Sequence, residues 1–341
     1  MNMVVRKERA ATRMTRLAVL MLSLILMLSL VGCGGKEAKE TASPTTSTGT
    51  VVTESPAASP SAEVRSDQTE YPLTVKDSTG TDVVFERAPE RIVTLAPSET
   101  EIAFAVGAGD KVVGVDTNSD YPEAAASKNK IGDVNTDIEA VLALKPELVL
   151  AQSGMQFETV QKLRELNIKV YATDPKSIDQ VMQKIEDVGL ILNAQANAKQ
   201  ITDKMATDRD RITALLKDVT KKQVYLEFSP GWSVGKGEFL DELLTLAGGT
   251  NVAADQTGWF EINAEQIVKA DPAIIIYGKD MMMGNMIYDE IMKRPGFDAI
   301  TAIKNKDIYP VDSNLVSRVG PRLTDGLIEM AKVINPDLVK E

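Results

Sequence analysis

"DIEAVLALKPELVL" at 137–150 and "NAEQIVKADPAIII" at 263–276 are the two phrases on which the fold turns. At a constant offset of 126 residues, Asp137 meets Asn263, Glu139 meets Glu265, Val141 meets Ile267, Pro146 meets Pro272 and Leu148 meets Ile274. Each phrase opens on a side chain able to accept hydrogen bonds from the free amides of a first helical turn. An acid follows where the positive end of a helix favours it. Then come an apolar stripe at helical spacing, a proline that cannot continue the helix, and an unbroken apolar run. The pattern predicts a short helix feeding a buried strand, twice. That is an internal duplication of one α/β lobe.

The text on either side agrees. "RIVTLAP" (91–97), "KVVGVD" (111–116), "ELVLAQ" (147–152) and "KVYATD" (169–174) read as strands, with helices predicted at 100–109, 137–146 and 157–168. The second half repeats the vocabulary in "QVYLEF" (223–228), "EFLDELLTLAGG" (238–249), "AEQIVKADP" (264–272), "AIIIYG" (273–278) and "DIYPVD" (307–312). Strands that are apolar throughout, alternating with helices, indicate parallel sheet covered on both faces. Between the halves, 177–220 carries no proline and only Gly189 as a breaker, and from Ala194 its apolar residues Ile201, Met205, Ile212, Leu215 and Leu216 share a stripe. This predicts a long helix acting as a stiff strut. The expected fold class is therefore α/β, with two similar lobes (71–176 and 221–341) joined by a linking helical segment at 177–220 and a cleft between them.

Composition removes most enzyme chemistry. The 341 residues include no histidine and a single cysteine, Cys33. There is no imidazole base, no histidine-bearing triad or metal site, no internal disulfide and no thiolate cage. A net charge of −11 argues against a nucleic-acid partner, whose phosphates need clustered Lys and Arg. No resident cofactor is expected.

The N-terminus accounts for the cysteine. Arg6, Lys7, Arg9, Arg13 and Arg16 precede an apolar run from Leu17 to Val31, too short for an ordinary membrane span. Leu30-Val31-Gly32-Cys33 resembles a bacterial lipobox. It implies a signal peptide at 1–32 and acylation of Cys33, anchoring the chain to the extracytoplasmic face of the cell membrane. Residues 33–70, rich in Ser, Thr, Pro, Ala and Gly, are expected to form a disordered tether.

"RIVTLAPSETEIAFAVGAGDKVVGVD", "SDYPEAA", "IEAVLALKPELVLAQ" and "LLTLAGGTNVAAD" together resemble the binding proteins of cobalamin and ferric-siderophore ABC importers, nearest to the cobalamin type. The resemblance covers about 88–335. It implies two lobes on one long helix, a ligand held between them, and an ABC permease with its ATPase as partners of a monomeric receptor. It also implies that Glu139 and Glu265, one per lobe, dock onto permease arginines. For a corrinoid cargo it points to Tyr121, Trp259 and Trp232 as cleft aromatics, both tryptophans lying in glycine-bearing loops. Two further positions that carry tryptophan in some such receptors are about Asp133 and Gln152 here. That departure keeps two other cargoes open. An anionic ferric siderophore would need cations, for which Arg318, Lys236 and Lys279 are candidates. Haem would need Tyr or Met, and "DMMMGN" (280–285) supplies methionines. An enzyme, or an anchored sensor module of the same fold, are the rival classes.

Overall fold

The computed structural model describes residues 68–279 and 285–340. The signal peptide, Cys33, the tether as far as residue 67 and the methionines of 281–283 lie outside the described residues.

The first lobe opens with an antiparallel hairpin, β1 (Leu73–Lys76) and β2 (Asp82–Phe85). Its sheet is formed by β3 (Ile92–Thr94), β4 (Val112–Val115), β5 (Asn129–Lys130), β6 (Leu148–Gln152) and β7 (Val170–Thr173). All are parallel, in the order β5-β4-β3-β6-β7. Helices α1 (Pro97–Ala105), α2 (Ile138–Ala143) and α3 (Ser153–Glu165) make the crossovers. Pro97 opens α1, where its fixed φ suits a first turn, and Gly107 at φ +90° lets the chain leave it.

The second lobe repeats this plan with β8 (Lys222–Glu227), β10 (Gly249–Asn251), β12 (Ile274–Lys279) and β13 (Ile308–Asp312), parallel in the order β10-β8-β12-β13. Its helices are α6 (Phe239–Leu246), α7 (Ala264–Ala270), α8 (Met286–Lys293), α9 (Thr301–Asn305), α10 (Ser313–Val316) and α11 (Leu323–Ile334).

The duplication holds in atomic detail. The carboxylate of Asp137 accepts the Ala140 amide at 3.0 Å, and the Asn263 side chain accepts the Glu265 amide at 3.0 Å. Both helices end on a left-handed residue before the proline: Lys145 at φ 48° and Asp271 at φ 46°, again 126 apart. The offset also pairs Gly132 (φ 93°) with Gly258 (φ 69°), so Asp133 and Trp259 are equivalent positions.

Two expectations need correction. The 177–220 stretch is two helices, α4 (Ile178–Ile191) and α5 (Gln195–Leu215), so the long linking helix is its second part alone. At 21 residues α5 spans roughly 31 Å. The break falls at Asn193, whose short amide side chain tolerates its φ of 55°, and not at Gly189. Gly189 stays helical, and a Cβ there would collide with Ala198 of α5, so it is the contact point where the two helices pack. Nor do the tryptophans lie in loops. Trp232 is in β9 (Trp232–Val234) and Trp259 in β11 (Trp259–Glu261), a two-stranded antiparallel ribbon too short to show periodicity in sequence.

The lobes share a core. One apolar cluster runs from Ile92 and Ile102 through Ile185 of α4, Met205 and Ile212 of α5, to Leu240 and Leu327. Separate clusters cover the outer sheet faces, around Val149 and Val160 in one lobe and Tyr225 and Ile275 in the other.

Candidate functional site

In an open α/β sheet the residues just beyond the carboxyl ends of parallel strands border the natural binding crevice. Here both lobes turn those ends toward one cavity of about 460 Å³. Leu95 to Ser98 follow β3, Asp116 and Asn118 follow β4, and Gln152 ends β6. From the second lobe, Phe228 follows β8, and Ser313, Asn314, Ser317 and Arg318 follow β13. Gly278 lets β12 pass behind this wall, because a Cβ there would stand 2.6 Å from both the Phe228 ring and the Ser313 hydroxyl.

The wall mixes apolar faces with neutral polar groups. Leu95, Pro97 and Phe228 sit beside Val134 and Met155, which are exposed at the cavity. The Gln152 amide donates to Ser98 Oγ at 2.6 Å, and the Gln156 amide to the Leu95 carbonyl at 2.7 Å. The buried Ser313 hydroxyl has no hydrogen-bond partner among the described residues. Asp116 is buried in the same wall at the end of a hydroxyl chain: Thr94 to Thr100 at 2.6 Å, Thr100 to Ser119 at 2.7 Å, then Ser119 to the carboxylate. Burial pushes the Asp116 carboxyl above its ordinary pKa, opposed by the Ser119 and Asn118 hydrogen bonds and by Lys130 and Arg318.

Beside the cavity, charge crosses between the lobes in a cluster of two arginines and two acids. Arg318 Nη1 donates to Glu101 Oε1 at 3.0 Å and to Asp120 Oδ1 at 2.7 Å. Arg322 grips Glu101 at two points, 2.9 and 2.7 Å, and lies over the Tyr121 ring at 3.9 Å from its centroid. Glu101 is buried in α1, so a segment near the end of the chain is bolted to the first helix of the other lobe.

The residues expected at the site are only partly brought together. Arg318 lines the cavity. Tyr121, Trp232 and Trp259 are 48, 43 and 42 % exposed and stand outside its lining, the two tryptophans on neighbouring strands. Lys236 and Lys279 are exposed and also outside it. Glu139 and Glu265 are exposed in the first turns of α2 and α7, with no ion-pair partner among the described residues. Sequence reasoning missed Glu101, Arg322, Met155 and Val134. The two arginines of "SRVGPR" were a visible signal; Glu101, one of two acids in α1, carried none.

Comparison with known proteins agrees with this two-lobed α/β fold. The family model described as "Periplasmic binding protein" matches residues 92–315. The chain is 38 % identical over 281 residues to an uncharacterized ABC transporter substrate-binding lipoprotein, YvrC, of Bacillus subtilis, covering 80 % of this chain and 88 % of that protein. It is 32 % identical over 247 residues to a vitamin B12-binding protein of Salmonella typhimurium, covering 69 % and 86 %. Among solved structures, a possible iron-binding periplasmic solute-binding protein of Staphylococcus epidermidis superposes with a TM-score of 0.63 at 31 % identity, over 73 % of this chain and all of that one.

Proposed function

This chain belongs to the periplasmic binding protein family, the substrate-binding components of ABC importers and not enzymes, and we propose that its cargo is cobalamin or another corrinoid, handed to a permease driven by its ATPase. The observation that carries the corrinoid reading is the makeup of the interlobe wall: apolar faces from Leu95, Phe228 and Met155 beside the neutral hydrogen-bonding groups of Gln152, Ser98, Asn118 and Ser313. A corrin offers broad apolar faces with amides at its edge, and such a wall complements both. The exposed indoles of Trp232 and Trp259 and the Tyr121 ring supply further flat surface at the rim. The relative named for vitamin B12 binding supports the same cargo.

In this reading the metal chelate is substrate, the receptor carries no resident cofactor and works as a monomer. Cys33, acylated, tethers it to the outer face of the membrane through residues 33–70. Glu139 and Glu265, with no ion-pair partner among the described residues and presented by equivalent helices, dock onto permease arginines. A tryptophan-fluorescence titration with cobalamin, ferric siderophores and haem in parallel tests the cargo. Saturable quenching by cobalamin at the lowest concentration is expected; a response only to siderophore or haem overturns the corrinoid reading.

A further inference from the structure

Arg318 is the one cation among the residues lining the interlobe cavity, and its charge is already engaged. Nη1 is shared between Glu101 and Asp120, while Nη2 reaches the Asn118 carbonyl at 3.5 Å. Arg322, the other guanidinium of the cluster, is taken up by both oxygens of Glu101. Two guanidinium groups therefore face two carboxylates, and the cluster closes with no charge left over. The remaining titratable group in the wall is Asp116, another acid. Behind it, Lys130 Nζ is held by the carbonyls of Ser119 at 2.9 Å and Asp116 at 3.5 Å.

An anionic chelate entering this cleft would meet carboxylates and, among the described residues that line it, no cation free of an ion pair. To pair with Arg318 it would have to displace Glu101 or Asp120, and a displaced, buried Glu101 would lose its own partner. Like charges brought together in a partly dry site oppose binding strongly. A chelate without net negative charge meets no such barrier.

We propose that Glu101 and Asp120 are specificity-determining residues, which by neutralising Arg318 make the cleft select metal chelates that carry no net negative charge. The inference rests on the cleft being the solute site argued above. It assigns these two acids a role in discrimination rather than in holding the cargo.

Calorimetry on the full-length protein tests it with three probes: cyanocobalamin and a ferric tris-hydroxamate, both neutral, and a trianionic ferric tris-catecholate. Wild type should bind a neutral probe and give no heat with the tris-catecholate. In the Glu101→Gln/Asp120→Asn double variant, the ratio of tris-catecholate to neutral-probe affinity should rise at least about tenfold, and the gain should fade as salt is added. Asp120 is exposed, so Asp120→Asn alone keeps the test open if the double variant does not fold; it should raise the ratio by about threefold. Tight tris-catecholate binding by wild type overturns the proposal, as does an unchanged ratio in the folded double variant or, where that variant does not fold, in Asp120→Asn. If wild type binds the hydroxamate and not cobalamin, the corrinoid reading fails while the charge filter stands.

Discussion

The ammonium of Lys184 lies 2.6 Å from the carboxylate of Glu99, with both side chains only 2 % exposed. Lys184 also donates to the Val319 carbonyl at 3.3 Å, so one buried cation ties α4 to α1 and to the segment that carries Arg318. Burial pushes the Glu99 carboxyl upward against the pull of Lys184.

Removing one member of such a pair leaves an uncompensated buried charge. Lys184→Ala should lower unfolding free energy by about 3–5 kcal/mol, read from urea titrations. The Lys184→Met/Glu99→Leu double variant should recover most of that loss. If the single variant costs no more than an ordinary surface change, the pair is not structurally important.

Glu139→Ala and Glu265→Ala should each abolish uptake in cells while leaving ligand affinity in solution intact. Both carboxylates are exposed and unpaired among the described residues, so their loss costs the receptor little of its own stability. Uptake that survives either substitution would exclude that glutamate from docking.

Trp259→Ala should weaken cobalamin binding more than Arg318→Ala does. Packing an indole on a corrin face removes apolar area from water at roughly 25 cal/mol per Å², whereas Arg318 is committed to Glu101 and Asp120. The reverse ranking, with affinity falling as salt rises, would point to an anionic cargo.

Asp116 should leave a pH signature. Its folded-state pKa is raised by burial. Folding therefore favours the protonated form, and the stability this group contributes is full below its unfolded pKa and lost as pH rises through the folded value. Asp116→Asn removes that loss. The melting temperature of the variant relative to wild type should climb as pH rises from below the ordinary aspartate range toward neutrality, and parallel profiles would refute the shift.

Cys33→Ser should move the protein from the membrane fraction to the soluble one with cargo affinity unchanged, because acylation sets location only. Retention in washed membranes would rule out the lipid anchor.

The lobes were legible because their signals are local. Caps at Asp137 and Asn263, prolines at Pro146 and Pro272, and strands buried on both faces all declare themselves within a dozen residues. The turn at Asn193 was not, since neither glycine nor proline marks it and Gly189 nearby offered a false break. The interlobe cluster was harder still. Glu101 finds Arg318 across 217 positions and Arg322 across 221, and no short-range pattern reports a partner that far along the chain. A charged residue in an amphipathic phrase reads as solvent-facing until tertiary structure buries it.

That long separation sets an order of assembly. Glu101 and Glu99 are placed early in the chain, yet Arg318, Arg322 and the Val319 carbonyl that complete their surroundings come close to its end. Until those residues are available, Glu101 lacks its two guanidinium partners, and the core that runs through α4 and α5 lacks Leu323, Leu327 and Met330. The shared core is thus complete only once the second lobe has been made. A polypeptide that must cross a membrane before it folds gains time from this arrangement: the bolt that closes the molecule is among the last parts to be delivered.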